Sequence, residues 1–190
     1  MSIKISYSNK VNSNSSDNLV LFADEKFNVN SLKKHLSSSE FSYIEDLLKN
    51  SDLKKNLLAF EVNSKKRIVL ISIKKELQSF DIENLGSELY GLINHGKNSE
   101  YFINSDSIIG KYENFTGHFL HGIKLKSYEF NKYKTKNETR LISINIIGNK
   151  NKPSIQNQLK FKALEEGIFY ARDLVSEPGN ILHQMNMQKD

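Results

Sequence analysis

An α/β fold, with a mixed and mostly parallel sheet flanked by helices, follows from three observations in this chain of 190 residues. Short apolar runs of strand length alternate with longer stretches of helical spacing, the order that α/β domains show. Two of the runs, 56–62 and 67–73, are separated only by the polar turn 63–66, so one antiparallel hairpin enters the sheet. The last helical stretch, 153–177, lies between the chain's 2 prolines and reads as a long linker helix that follows the sheet domain.

Taken in order, residues 3–8 alternate Ile3, Ile5 and Tyr7 with polar neighbours, a half-buried strand. Residues 11–18 form a polar loop. The unbroken apolar run 19–23 suits a central strand covered on both faces. Helical spacing starts with Leu32 and Leu36 and continues through Phe41, Ile44, Leu47 and Leu48, with a serine ahead of the second stripe as its cap. Over 80–96, Ile82, Leu85, Leu89 and Leu92 share one face, and Gly96 supplies a stop. Residues 100–104 are a strand. Phe115, Phe119, Gly122, Leu125 and Tyr128 recur every three or four residues, which predicts one long helix over 113–133. A strand over 139–148 ends in glycine.

In the final helix Pro153 suits the first turn, and Glu177 is pushed out of helical geometry by Pro178. Its length is about 35 Å. Leu164, Ile168, Ala171 and Val175 fall on one face and Ala163, Gly167 and Leu174 on another, with Gly167 and Ala171 admitting a close backbone. Apolar residues on more than one face predict that the helix packs on the sheet domain with only part of its surface. The expected division is 1–150 for the α/β domain and 151–190 for the linker helix and the start of a further unit.

Composition excludes several classes. Apolar residues at 38% and aromatics at 10% are enough for a packed core and argue against disorder. Without cysteine there is no disulfide framework and no thiolate metal site. No long uncharged apolar run appears and the first residues lack the apolar segment of a signal peptide, so a soluble, cytoplasmic protein with no membrane partner is expected. The net charge of +5 is carried mostly by lysines, with arginine only at 67, 140 and 172. The lysines are spread along the chain, with one dense cluster at 132–136, and give only weak support to a nucleic-acid face.

Catalytic signals are sparse. His118 and His121 are spaced to share a metal from a helix, with Glu113 the best third ligand. No stronger ligand is evident, and the reading favoured is of surface or partly buried histidines. The adjacent pairs Asp24–Glu25 and Glu165–Glu166 point to different faces, a poor arrangement for acid–base work. The glycines of 86–91 lie inside a helical pattern, not in a phosphate-binding loop.

Two separated stretches carry a family resemblance. Residues 165–183, which contain Ala171-Arg172-Asp173-Leu174, the turn Glu177-Pro178 and Asn180-Ile181-Leu182, resemble the segment joining the two domains of the leucyl aminopeptidases. Residues 118–136, ending Ser-Tyr-Glu-Phe-Asn-Lys-Tyr-Lys-Thr-Lys, are similar to a helix and its following stretch in the same family, in the same order. The resemblance is strongest over 115–183; elsewhere it is one of element order. After His183 the family usually continues with proline or a short helix start, where this chain has Gln184.

The resemblance implies a macro-domain-like N-terminal domain that holds no metal. It implies two divalent ions, Zn or Mn, in a catalytic domain whose Asn-Thr-Asp-Ala-Glu-Gly-Arg motif is not among these residues. It further implies the catalytic domain as partner, homo-oligomers in the full-length family, and a junction role for Arg172, Asp173, Glu177, Pro178, Asn180, Ile181 and Leu182. The chain alone is then expected to be inactive, with a bare apolar patch formed by Phe169, Leu174, Val175, Ile181 and Leu182 that promotes self-association. Two other readings stand beside it: a macro-like module for a nucleotide or ADP-ribose, and a basic nucleic-acid-binding module.

Overall fold

The computed structural model describes residues 2–8, 18–95, 99–135 and 141–179. Six strands run β1 (Ser2–Ser8), β2 (Asn18–Asp24), β3 (Leu57–Glu61), β4 (Arg67–Ile73), β5 (Glu100–Asn104) and β6 (Leu141–Ile147). Four helices are α1 (Ser38–Lys49), α2 (Ser79–Asn94), α3 (Phe115–Lys126) and α4 (Ile155–Ser176), with 3₁₀ turns at Asn30–His35 and Ser105–Ser107. The sheet order is β1-β6-β5-β2-β4-β3, and every pairing is parallel except β3 with β4. The mixed, mostly parallel α/β class read from the sequence is the observed one.

Burial on two faces explains the unbroken apolar strands. In β2, Val20 and Phe22 face the cluster under α2 and α3, while Leu21 and Ala23 face the cluster under α1. β4 divides likewise, with Val69, Ile71 and Ile73 on one side and Ile68 and Leu70 on the other. Strand β6, between the edge strand β1 and β5, buries Ile142, Ile144 and Ile146 toward α2 and α3, whereas Leu141 on the reverse is 49% exposed. Helices therefore cover most of one face, leaving Tyr7 at the end of β1 38% exposed, and the other only over β2, β3 and β4.

Local chemistry sets the element ends. Ser37 caps α1 in a reciprocal box with Glu40. Glu40 also holds Lys66 at 2.6 Å, and Lys66 sits in the β3–β4 turn with only 7% exposure, so the hairpin is locked to the helix start. That turn is organised by Asn63, whose side-chain oxygen accepts from the N–H groups of Lys65 and Lys66 at 2.8 and 3.0 Å.

Helices α2 and α3 touch through their backbones. A Cβ on Gly86 would lie 2.0 Å from the carbonyl oxygen of Phe119, and one on Gly122 would lie 1.9 Å from that of Glu83. Only glycine fits at either point. The close approach drives Phe115 and Phe119 edge-on against Phe22 in the sheet, at centroid distances of 5.3 and 5.4 Å.

Three boundaries differ from the sequence reading. The helix expected over 113–133 ends at Lys126, where the N–H of Ser127 caps Ile123 and Lys124 and its hydroxyl donates to the Lys124 carbonyl at 2.7 Å. Tyr128 kept the apolar spacing because its ring packs on α4, not because the helix continues. The segment expected as a helix over 30–36 is 3₁₀ instead. Pro153 precedes the cap rather than entering the first turn: Ser154 is the N-cap and accepts from the Asn157 N–H at 3.2 Å. The expected stop at Gly96 and most of the loop 11–18 lie outside the described residues.

The glycine crossing makes a paired prediction. Gly122→Ala forces two backbones apart and should destabilise the fold by about 3 kcal/mol, the upper range for overpacking. Gly91→Ala, on the same pair of helices but with open space around its would-be Cβ, should be neutral or stabilise by about 1 kcal/mol. Urea denaturation of both variants decides between a steric requirement and ordinary helix propensity.

Candidate functional site at the junction of α3 and α4

Helix α4 lies across α3 with little apolar burial. Phe161 is its only buried residue among those described. The Phe161 ring sits between His118 and His121, with both centroids 5.0 Å away. His118 Nδ1 is 2.8 Å from Glu83 of α2, and His121 Nδ1 is 3.3 Å from Glu165 of α4. The two histidines of the suggested metal pair therefore turn to different carboxylates, and Glu113 joins neither contact. Among the described residues, no group of three or more such side chains is arranged to hold a metal ion.

The far end of α4 is fastened by polar and aromatic groups. Arg172 donates to the Leu125 carbonyl at 2.7 Å and lies over the Tyr128 ring, 5.4 Å from its centroid. Tyr128 packs on Phe169 and donates its hydroxyl to Asp173 at 2.7 Å. One turn on, Glu177 accepts from Lys132 and Tyr133. The backbone N–H of Glu177 closes the helix on the carbonyls of Asp173 and Leu174, and its extended geometry leads into Pro178. Hydrogen bonds from Lys132 and then Tyr133 hold the Glu177 carboxyl below the usual carboxylate range.

Of the seven junction residues read from the sequence, Arg172, Asp173 and Glu177 thus meet the stretch that follows α3. Pro178 follows at the exposed helix exit, and Asn180, Ile181 and Leu182 lie outside the described residues. Their partners Tyr128, Lys132 and Tyr133 escaped the sequence reading because that stretch was assigned to a helix. Lys132, part of the dense lysine cluster, is engaged by Glu177.

Beside this junction, a cleft of about 710 Å³ runs between the start of α2, the loop before α3, and α4. Lys75, Lys111 and Lys160 line it together with Glu76, Glu83 and Glu113, so opposite charges balance there. At the carboxyl ends of the parallel strands, where open α/β sheets commonly take ligands, the protein's own turns meet. Asp106 accepts from the N–H groups of Asn149 and Lys150 at 2.9 and 2.7 Å, and Ser105 donates to the Ile147 carbonyl at 3.0 Å. His35 packs there against Asn104 at 3.0 Å, its pKa lowered by burial and by Lys34. No helix among the described residues is long and apolar enough to cross a membrane.

No family model matches the sequence, and no curated protein matches it. Solved structures do. A mutant of tomato leucine aminopeptidase superposes with a TM-score of 0.69 at 18% identity, over 95% of this chain and 39% of that one. The bottromycin maturation enzyme BotP superposes with a TM-score of 0.59 at 12% identity, over 88% of this chain and 34% of that one. The same enzyme in complex with Mn gives 0.58 at 11% identity. The chain spans well under half the length of these neighbours. The likeness is one of fold, and it falls on the family that the two sequence motifs resemble.

The fastening of α4 is testable. Phe161→Ala should raise hydrogen exchange throughout α4 while β2 and β4 keep their protection, since α4 shares little of the main core. Glu177 has a lowered folded pKa, so its contribution is present above the ordinary carboxylate pKa and is lost as pH falls through the folded value. Protection at the end of α4 should therefore drop on acidification below that range, and Glu177→Gln should remove the dependence. An acid response unchanged in the glutamine variant would assign it elsewhere.

Proposed function

We propose that this chain is the non-catalytic N-terminal domain, with its linker helix, of a leucyl-aminopeptidase-like metallo-exopeptidase. Its role is architectural: to carry and orient the catalytic unit and to shape access and assembly. One observation carries the reading. The fold likeness takes in 95% of this chain yet only 39% of the tomato aminopeptidase. Two further observations support it. The residues that resemble the family's interdomain segment gather at one junction, where Arg172, Asp173 and Glu177 fix the direction in which α4 leaves the sheet domain. The histidines nearest to a metal pair are each turned to a separate carboxylate.

In this reading the two divalent ions, Zn or Mn, and the peptide-cleaving groups belong to the catalytic unit. A two-metal hydrolase needs its ions held a few ångströms apart by several carboxylates. The 190-residue chain should release no leucine reporter at saturating Mn²⁺ or Zn²⁺. Turnover that co-purifies with the chain and disappears in the His118→Ala/His121→Ala double variant would overturn the proposal. A thermal-shift screen with ADP-ribose should leave the melting temperature unmoved; a saturable rise would favour a macro-like nucleotide-binding module instead.

A further inference from the structure

Asn104, at the carboxyl end of β5, is 1% exposed and holds two neighbours through opposite ends of its amide. Its side-chain oxygen accepts from the backbone N–H of Asp106 at 3.0 Å, and its nitrogen lies 3.0 Å from Nδ1 of His35. The first contact fixes the second. A backbone N–H can only donate, so the amide atom facing it is the oxygen and the group facing His35 is the NH₂. His35 Nδ1 is therefore the bare, accepting nitrogen. The ring's proton sits on Nε2, which is buried and meets no hydrogen-bond partner among the described residues. A neutral ring fits this place, whereas an imidazolium would set one donor against another. Turning the amide over would satisfy the imidazolium and strand the Asp106 N–H instead. Either way a buried donor loses its partner, which is costly.

Asp106 passes the constraint on. Its carboxylate accepts from the N–H groups of Asn149 and Lys150, and the Asn151 side chain donates to the Ser105 carbonyl at 3.2 Å. A Cβ on Gly148 would lie 2.8 Å from both Ser105 Oγ and Asp106 Cγ, so the two turns have no slack between them. Directly after this stretch, Ser154 caps α4.

We propose that His35 is a proton-controlled latch: protonating it releases Asn104, loosens the turn at 105–106, and so frees the stretch 148–151 from which α4 departs. Burial, and then Lys34 beside it, lower the His35 pKa against an opposing pull from Asp106 on the facing turn. The other charged groups nearby are engaged elsewhere. Asp24 at the end of β2 accepts from the N–H groups of Lys26 and Asn28, Glu40 at the start of α1 holds Lys66, and Lys33 lies over the Phe41 ring. With a lowered folded pKa, the latch contributes stability above the ordinary histidine value and loses it as pH falls through the folded value. The loss begins where Glu177, held below the usual carboxylate range, is still ionised. The latch is read in this chain alone, and its failure would leave the proposed function as it stands.

The experiment follows the 5 histidines by NMR. It is joined to hydrogen exchange at the amides of Asp106, Asn149 and Lys150, corrected for the intrinsic rate, from about pH 7.5 to about pH 5. His35 should titrate below the ordinary histidine value of about 6.5, and the three amides should lose protection along the same curve. Asn104→Asp puts one carboxylate oxygen against Nδ1 and the other against the Asp106 N–H, so the imidazolium gains an acceptor. In that variant His35 should titrate above the ordinary value and the acid loss should disappear. His35→Gln keeps an acceptor for Asn104 and cannot titrate, so protection should stay flat over the range; it decides the matter even where the aspartate variant fails to fold. A wild-type His35 that titrates at or above the ordinary value, an acid loss that persists in His35→Gln, or a titration unmoved by Asn104→Asp would each overturn the proposal.

Discussion

The carbonyl oxygens of Phe119 and Glu83 occupy the places where side chains of Gly86 and Gly122 would otherwise stand. Most of what lies on that side of the sheet depends on this contact. With the two helices drawn together, α2 and α3 act as a single slab over β2, β5 and β6, and the aromatic rings of Phe115 and Phe119 are pressed onto Phe22. The same closeness lets Glu83 reach across from α2 to His118 on α3. The slot that receives Phe161 of α4 is therefore built from a helix pair that has no room to adjust. Any residue with a side chain at either glycine would move both walls of that slot.

Helix α4 is attached on different terms from the other helices. They bury continuous apolar faces; it is held by one buried ring and a set of polar and aromatic contacts near its end. Such contacts are directional, because a guanidinium over a tyrosine ring and a tyrosine hydroxyl on a carboxylate tolerate little rotation. They fix an angle of departure at small cost in buried surface, and they leave the outward face free for another partner.

Much of the domain was legible in sequence because burial on two faces and on one face leave different marks. The unbroken Leu19–Ala23 stretch and the alternating β1 were read correctly for that reason, as was the hairpin around Asn63. A capping serine was visible from the stripe that follows it, and the structure places it at Ser37. What failed were places where the reason for a residue lay far away in the chain. Tyr128 kept a helical spacing while serving Phe169 and Asp173, about 45 positions on. Lys132 looked like one member of a basic cluster, although its partner is Glu177. Gly122 read as one member of a helical stripe and Gly86 as a glycine inside a helical pattern, and neither reading showed that two backbones meet there. The residues Arg172, Asp173 and Glu177 came from family resemblance, and only the folded chain shows which groups they meet.

The strand order also bears on how the chain must be made. β1 lies at one edge and pairs with β6, so Ser6 finds Asn145 at a separation of 139 positions. A ribosome releases the first strand long before its neighbour exists. Meanwhile β2, β4 and β3 come together earlier, because the hairpin is local and the connection from Asp24 to Arg67 is far shorter than that from β1 to β6. The nascent domain thus spends most of its synthesis with one sheet edge unfinished. The polar residues Lys4, Ser6 and Ser8 along the waiting strand keep that interval compatible with solubility, because a free edge of apolar residues alone would seek other chains.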